Sequence, residues 1–275
     1  MIHSSIASVD GFAAAGRPRP RRAEVVEVLA HAGCVAPEAE ADALLRAWSE
    51  GVGDLDELVA RRCDGEPLAW IVGSVEFLGL RLRIDPGVFV PRPHTELLAA
   101  RAIEVTPPDG TAIDLCTGCG AVAAAIRAAR PRATVHATDL DPVAVACARR
   151  NDVPALVGDL DEPLPASLDG RVDVITAVVP YVPSEELHLL PRDVVAHEPR
   201  SVLDGGPGGT TVLRRAAAVA ARRVRPGGTV LLELGGDQAA AISETLAALG
   251  FSAIGVHRDD DGLDRAIEAR RRPAA

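Results

Sequence analysis

Three acids and two glycines near the middle of the chain have types and spacings that can do chemistry. The segment Asp114-Leu115-Cys116-Thr117-Gly118-Cys119-Gly120-Ala121 leaves an apolar run and enters an Ala-rich one, the pattern of a strand giving way to a helix. At such a junction helix N–H groups lack partners and the backbone approaches a ligand closely, which Gly118 and Gly120 permit. Asp139 ends the next strand-like run, nineteen residues past Gly120, and Asp159 ends the one after. A carboxylate there accepts hydrogen bonds from both hydroxyls of a ribose. Glycines after the first strand with acids after the second and third suit a nucleoside-bearing cofactor better than a purely structural turn with two capping acids.

The loop also narrows the choice of cofactor. The chain contains no Lys, so all 29 basic residues are Arg and a P-loop is excluded. Ala123 or Ala124 stands where a dinucleotide site would have its third glycine, and Asp114 at the head of the loop repels a diphosphate but suits a cation. A sulfonium or amine ligand is favoured. Cys116 and Cys119 form a C-x-x-C, yet no second pair or nearby His completes a metal site. The five cysteines, Cys34, Cys63, Cys116, Cys119 and Cys147, are an odd count in a long chain, so neither a disulfide framework nor a metal is expected.

Strands and helices must hold these residues, and the rest of the sequence supplies them. At 275 residues the chain is long enough for one main core and an appendage, and 48% hydrophobic with 25% charged residues excludes a disordered or fibrous chain. Residues 1–22, ending in an Arg/Pro-rich stretch, read as a flexible leader. Over 23–73 apolar residues at helical spacing, punctuated by Gly33, Gly51 and Gly53, predict three short helices in a small domain. Over 74–93 the alternation of Glu76 to Ile84 and a turn at Asp85-Pro86-Gly87 predict a linking β-hairpin. Over 94–275 strands and helices alternate: strands at 112–115, 134–138, 155–157, 172–177, 229–234, 251–257 and 265–269, helices at 122–130, 142–150, 210–223 and 239–249. That order predicts a mostly parallel sheet covered on both faces, an α/β fold. No run of 18 apolar residues appears and residues 1–22 lack the order of a signal peptide, so a cytoplasmic protein without membrane contact is expected. A net charge of −10 argues against direct nucleic-acid binding spread over the surface.

With its acid and Gly-rich turn, the chain resembles the class I S-adenosylmethionine-dependent methyltransferases. Arg225-Pro226-Gly227-Gly228 looks like the turn before their fifth strand. Gly65-Glu66-Pro67-Leu68, Glu76-Phe77, Phe89-Val90-Pro91-Arg92-Pro93-His94-Thr95-Glu96, Pro180-Tyr181-Val182-Pro183 and Glu198-Pro199-Arg200 with Leu203-Asp204-Gly205-Gly206 also occur in order around it. Together these resemble the protein-(glutamine-N5) methyltransferases that modify peptide chain release factors, over about residues 23 to 270. The resemblance implies a Rossmann-like seven-stranded sheet under an N-terminal helical domain and β-hairpin, S-adenosylmethionine as cofactor and a release factor as protein substrate. It also implies that Phe89 packs on the cofactor, that Asp114, Cys116, Thr117, Gly118, Cys119 and Gly120 form its loop, that Asp139 binds its ribose, and that Asp159 with Leu160 borders the adenine.

The same resemblance exposes a departure. The family's substrate motif is Asn-Pro-Pro-Tyr, and the aligned residues here are Val178-Val179-Pro180-Tyr181. An amide nitrogen is a poor nucleophile because its lone pair is delocalised, so transfer requires acceptors for its N–H bonds. In the family the Asn oxygen and the next backbone carbonyl serve. Val178 has no side-chain acceptor, although the Val179 carbonyl persists. One missing polar contact at a site of developing charge lowers a rate by about 10²–10³. A changed acceptor, such as another protein or a small amine or hydroxyl, and a non-catalytic cofactor-binding protein are the alternatives; a dehydrogenase fits the acid-led loop poorly. Tyr181, the single Tyr of the chain, follows Pro180 at the carboxyl end of a strand, where substrate-binding residues gather. Pro180 and Tyr181 are the expected catalytic residues and Val178 to Tyr181 the acceptor pocket. His188 and His197 are candidate bases, and Glu198 and Asp204 are expected to hold the nearby loop through backbone N–H groups.

Overall fold

The computed structural model describes residues 22–190 and 192–273. The expected leader lies outside the described residues except for Arg22, which opens α1 (Arg22–His31). Two further helices, α2 (Pro37–Ser49) and α3 (Leu55–Cys63), follow where apolar spacing predicts them. Pro37 starts α2 with Glu38 and Glu40 in its first turn, a position where the missing N–H is harmless and negative charge meets the positive end of the dipole. Asp54 caps α3 by accepting the Asp56 N–H at 3.1 Å. Leu29, Leu44 and Leu58 pack in one apolar cluster with Ile71 from a short fourth helix, α4 (Leu68–Val72). Truncating any of these buried leucines to Ala costs about 2–5 kcal/mol.

The hairpin pairs β1 (Ser74–Phe77) with β2 (Leu80–Arg83). Its turn is Leu78-Gly79, both at positive φ (46° and 77°), the two-residue geometry that matches strand twist. The alternation of Glu76 to Ile84 gives no sign of a turn at this point, because Leu78 is an unusual residue for one; its N–H is held by Glu96 Oε1 at 2.9 Å. The turn expected at Asp85-Pro86-Gly87 follows the hairpin, with the Val88 N–H donating to the Asp85 carbonyl. Trp70 then fastens α4 to this exit segment by donating its indole N–H to the Val88 carbonyl at 2.9 Å.

From α5 (Thr95–Val105) the chain alternates: β3 (Thr111–Leu115), α6 (Ala121–Ala129), β4 (Thr134–Asp139), α7 (Pro142–Arg150), β5 (Ala155–Val157), β6 (Val172–Ala177), α8 (Arg192–His197), α9 (Thr211–Arg223), β7 (Val224–Glu233), α10 (Gln238–Ala248), β8 (Phe251–Arg258) and β9 (Asp264–Arg271). The seven strands lie in the order β5-β4-β3-β6-β7-β9-β8, with β9 antiparallel to both neighbours and the others parallel. Successive residues of a strand face opposite sides. Ala112 and Val174 therefore join the core under α5, α6 and α7, while Ile113 and Ile175 join that under α9 and α10. Arg225-Pro226-Gly227-Gly228 bulges out of β7, whose register jumps from Val172↔Val224 to Val174↔Thr229. Helix α5 has no counterpart among the helices that the sequence predicts.

The chain builds outward from β3 to β5 and then returns to β6 on the other side of β3. This reversal leaves a crevice at the carboxyl ends of β3 and β6, where ligands of open α/β sheets bind. No helix among the described residues is long and apolar enough to cross a membrane.

Candidate active site

That crevice holds a cavity of about 520 Å³, within the roughly 300–1,000 Å³ range of small-molecule sites. The segments after β3, β4 and β5 line it with Cys116, Gly118, Asp139, Asp159 and Leu160; the segment after β6 adds Val178 to Tyr181; the hairpin exit adds Phe89, Arg92 and His94. Six of the ten residues implied for the cofactor, and all four implied for the acceptor, therefore share one cavity. Asp114, Thr117, Cys119 and Gly120 do not line it. They are buried behind the loop, and Asp114, Thr117 and Cys119 border a side pocket of about 20 Å³ with Phe89 and Val178.

Asp114 has a different role from the one its charge suggests. Its carboxylate is enclosed and accepts the hydroxyls of Thr117 at 2.6 Å and Thr176 at 2.7 Å, which lock the loop to β3 and β6. Burial raises its pKa to about 6, against the pull of those hydroxyls. Cys116 adopts φ 54°, a left-handed conformation, and Gly118 turns the chain again at φ 57° with open space where a side chain would project. A ligand can meet bare backbone there. Gly120, at φ 84°, instead faces protein: a Cβ would stand 2.9 Å from Val153 Cγ2.

Asp139 joins the loop to the cavity. Its Oδ2 accepts the Gly118 N–H at 2.8 Å and its Oδ1 the Asp141 N–H at 3.0 Å. Burial nonetheless raises its pKa, outweighing those two bonds. Each oxygen retains a lone pair, so the carboxylate fits a vicinal diol. Asp159 is held by Arg215 Nη2 at 2.7 Å, and Leu160 next to it is buried at φ 48°. Phe89 is half-buried and outside the apolar core, with the Arg92 guanidinium 4.9 Å from its ring centre. Asn151, absent from the sequence reading, clamps the loop to the hairpin: its Nδ2 donates to the carbonyls of Cys119 (2.8 Å) and Arg83 (2.9 Å), and its Oδ1 accepts the Arg83 N–H.

Around the acceptor segment, Val178 packs against the apolar core with no polar side-chain atom. Tyr181 is fixed at three points. Its carbonyl accepts from Gln238 Nε2 at 2.6 Å, its ring packs against Gly235, and its hydroxyl lies 3.2 Å from His94 Nε2. Burial, followed by the neighbouring Glu233, holds the phenol well above its usual range. The residues after Tyr181 are stitched to the Glu198–Gly206 segment through Val182 N–H to the Leu203 carbonyl and Gly205 N–H to the Val182 carbonyl. Asp204 holds this loop as expected, accepting the Gly206 N–H and the Ser184 hydroxyl. Glu198 instead takes the Arg92 guanidinium at 2.5 Å.

The candidate bases His188 and His197 lie elsewhere: His188 is exposed, and His197 approaches the Asp64 carbonyl at 3.4 Å. The histidine that lines the cavity is His94, in a segment whose signal was its neighbours Arg92, Thr95 and Glu96. Among the described residues no group of three or more His, Cys, Asp or Glu is arranged to hold a metal ion. Burial raises the thiol pKa of Cys116, and that of Cys119 to about 12.

Comparison with known proteins agrees with this geometry. Residues 79–157 match the family model of the methyltransferase small domain. A methyltransferase from Pyrococcus furiosus shares the fold with a TM-score of 0.53 at 20% identity, over 71% of this chain and 90% of its own. The release factor glutamine methyltransferase of Moorella thermoacetica is 34% identical over 90% of this chain and 96% of its own length. That of Mycolicibacterium smegmatis is 38% identical over 81% of each. The sheet is that of a class I methyltransferase, and on these similarities the chain belongs to the release factor glutamine methyltransferase family.

Proposed function

We propose that this protein methylates the side-chain amide nitrogen of a glutamine in a peptide chain release factor, using S-adenosylmethionine. One observation carries the reading: a single cavity joins a diol-accepting carboxylate and bare glycine backbone to the Val178–Tyr181 segment. When bound, the cofactor would supply an electrophilic methyl group on its sulfonium, whose transfer to the amide nitrogen would leave a neutral thioether. The protein's part is positioning, which is worth most when the reacting atoms are held in line. In this reading Asp139 grips the ribose, Gly118 gives its backbone, Asp159 and Leu160 border the adenine and Phe89 covers the ligand. Pro180 and Tyr181 hold the acceptor side chain, and the Val179 carbonyl, which has no donor among the described residues, accepts one amide N–H.

Incubation with radiolabelled S-adenosylmethionine and purified release factor tests this. Label on one glutamine of the factor, located by mass spectrometry of its peptides, is the expected result. Val178 favours a second reading, the same transfer to a different acceptor, and label on another protein of a cell extract but none on the release factor would establish it. Cofactor binding with no transfer to either would remove both readings.

A further inference from the structure

Glu233 ends β7 as a fully buried carboxylate, and neither of its oxygens has a hydrogen-bond partner of good geometry among the described residues. Two side chains neighbour it: His94, whose Nε2 lies 3.4 Å from Oε1, and Tyr181, whose phenol proton the Glu233 charge helps to hold. The Tyr181 hydroxyl is also 3.2 Å from the same His94 nitrogen. An unpaired buried carboxylate is costly and draws the protons that face it. The phenol has one proton to give; if that goes to Glu233, its oxygen can only accept from the imidazole. The approach to the buried carboxylate therefore puts a proton on His94 Nε2, with the phenol oxygen accepting from the same nitrogen, and leaves Nδ1 of the neutral imidazole bare, with no partner among the described residues. His94 lines the cavity with Val178 and Tyr181, whereas Glu233 stands behind it.

We propose that His94 is a catalytic residue, and that its Nδ1 is the acceptor for the amide N–H that Val178 cannot accept. This inference rests on the reading of the acceptor as a glutamine amide. As the nitrogen gains its methyl group it must lose one proton. The N–H bond breaks with its electron pair left on nitrogen, and the proton passes to Nδ1. The resulting imidazolium is stabilised by Glu233, and the proton leaves to solvent after the product. Glu233 is a positioning residue that sets the tautomer, the relation of a buried carboxylate to a catalytic histidine. The His94 contacts come from separate parts of the chain, since Tyr181 lies 87 positions away.

Two measurements test this. In cofactor-free protein, ¹⁵N NMR of the imidazoles should find His94 protonated at Nε2 alone, and Glu233→Gln should mix the tautomers. A neutral His94 with its proton on Nδ1 would overturn the proposal whatever the acceptor proves to be. In turnover with release factor, His94→Ala should lower kcat by about 10²-fold or more. Its KM and its affinity for S-adenosylhomocysteine should stay within about threefold, the latter showing an intact fold, and added imidazole should recover at least about tenfold of the loss. A His94→Ala enzyme with wild-type kcat, or a loss that imidazole leaves untouched, would sink it. If the wild type labels no release factor, the acceptor assignment fails, and the NMR tautomer alone decides the state of His94.

Discussion

Replacing Asp139 with Ala separates what that residue does for the fold from what it does for the ligand. Its carboxylate accepts two backbone N–H groups, from Gly118 and Asp141, and bonds to a charged acceptor contribute about 1.5–3 kcal/mol each. Its pKa is raised despite them, by burial first and also by the neighbouring Asp141 charge, so these costs offset what the bonds return. Loss of the side chain should therefore leave the unliganded protein within about 1 kcal/mol of wild type, a shift in Tm of about 2–4 °C for a chain of this size. Two ribose hydroxyls donating to the same carboxylate would contribute about 3–6 kcal/mol on the same scale. The Kd for S-adenosylhomocysteine should then rise about 10²–10⁴-fold. Titration calorimetry and thermal melting of one preparation read both quantities. Asp141→Ala is the control: it removes a cap on α7 that accepts the Val143 N–H at 2.8 Å, costing about 1 kcal/mol of stability, with little change in affinity. A well-folded Asp139→Ala protein whose affinity falls less than about fivefold would refute the assignment of the ribose to Asp139.

Three further predictions concern the loop. Asp114 has a folded pKa of about 6 against an ordinary 3.8, so it holds its proton more tightly folded than unfolded. Its contribution is full below pH ~4 and lost as pH rises through ~6, about 3 kcal/mol in all; urea titrations should show that decline in wild type and a flatter profile in Asp114→Asn. Gly120→Ala forces a side chain into φ 84° with its Cβ 2.9 Å from Val153 Cγ2, and should cost about 2–5 kcal/mol of stability; Gly118→Ala, with open space around it, should cost less stability while weakening ligand binding in calorimetry. Asn151→Ala deletes three hydrogen bonds between loop and hairpin and should lower the urea-derived stability by about 1.5–4 kcal/mol; an unchanged midpoint would show that the clamp is replaced by water.

The sheet was legible because buried parallel strands write themselves as short apolar runs between Ala-rich helices, as in Thr111–Leu115 and Ala121–Ala129. Two of its acids were legible as strand ends, and both, Asp139 and Asp159, line the cavity. Other features were hidden for physical reasons. The hairpin turn falls on Leu78-Gly79, where a Leu at φ 46° gives no turn signal. Asp114 reads as a charge offered to a ligand, but hydroxyls of Thr117 and Thr176 enclose it, and Thr176 lies 62 positions along the chain, on β6. The same limit applies to Glu198 and Arg92, which meet across 106 positions.

Val178 shows why a motif has to be weighed with its surroundings. Along the sequence it is a loss: an acceptor is missing from a four-residue segment, and the expected consequence is a slower reaction. In three dimensions the position borders a cavity that also contains His94, backed by a buried carboxylate and beside a half-buried phenol. An apolar residue at 178 and a histidine at 94 stand in separate segments of the sequence, yet they set the polarity of one cavity. The pair yields a double substitution that neither residue suggests alone. If His94 supplies the acceptor, Val178→Asn should add little to the wild-type rate but restore much of the rate lost in His94→Ala, an interaction of at least ~1 kcal/mol in a double-mutant cycle. Single-turnover rates on release factor measure all four corners. Strict additivity would mean that the two side chains serve different steps, and would return Val178 to a simple deficit.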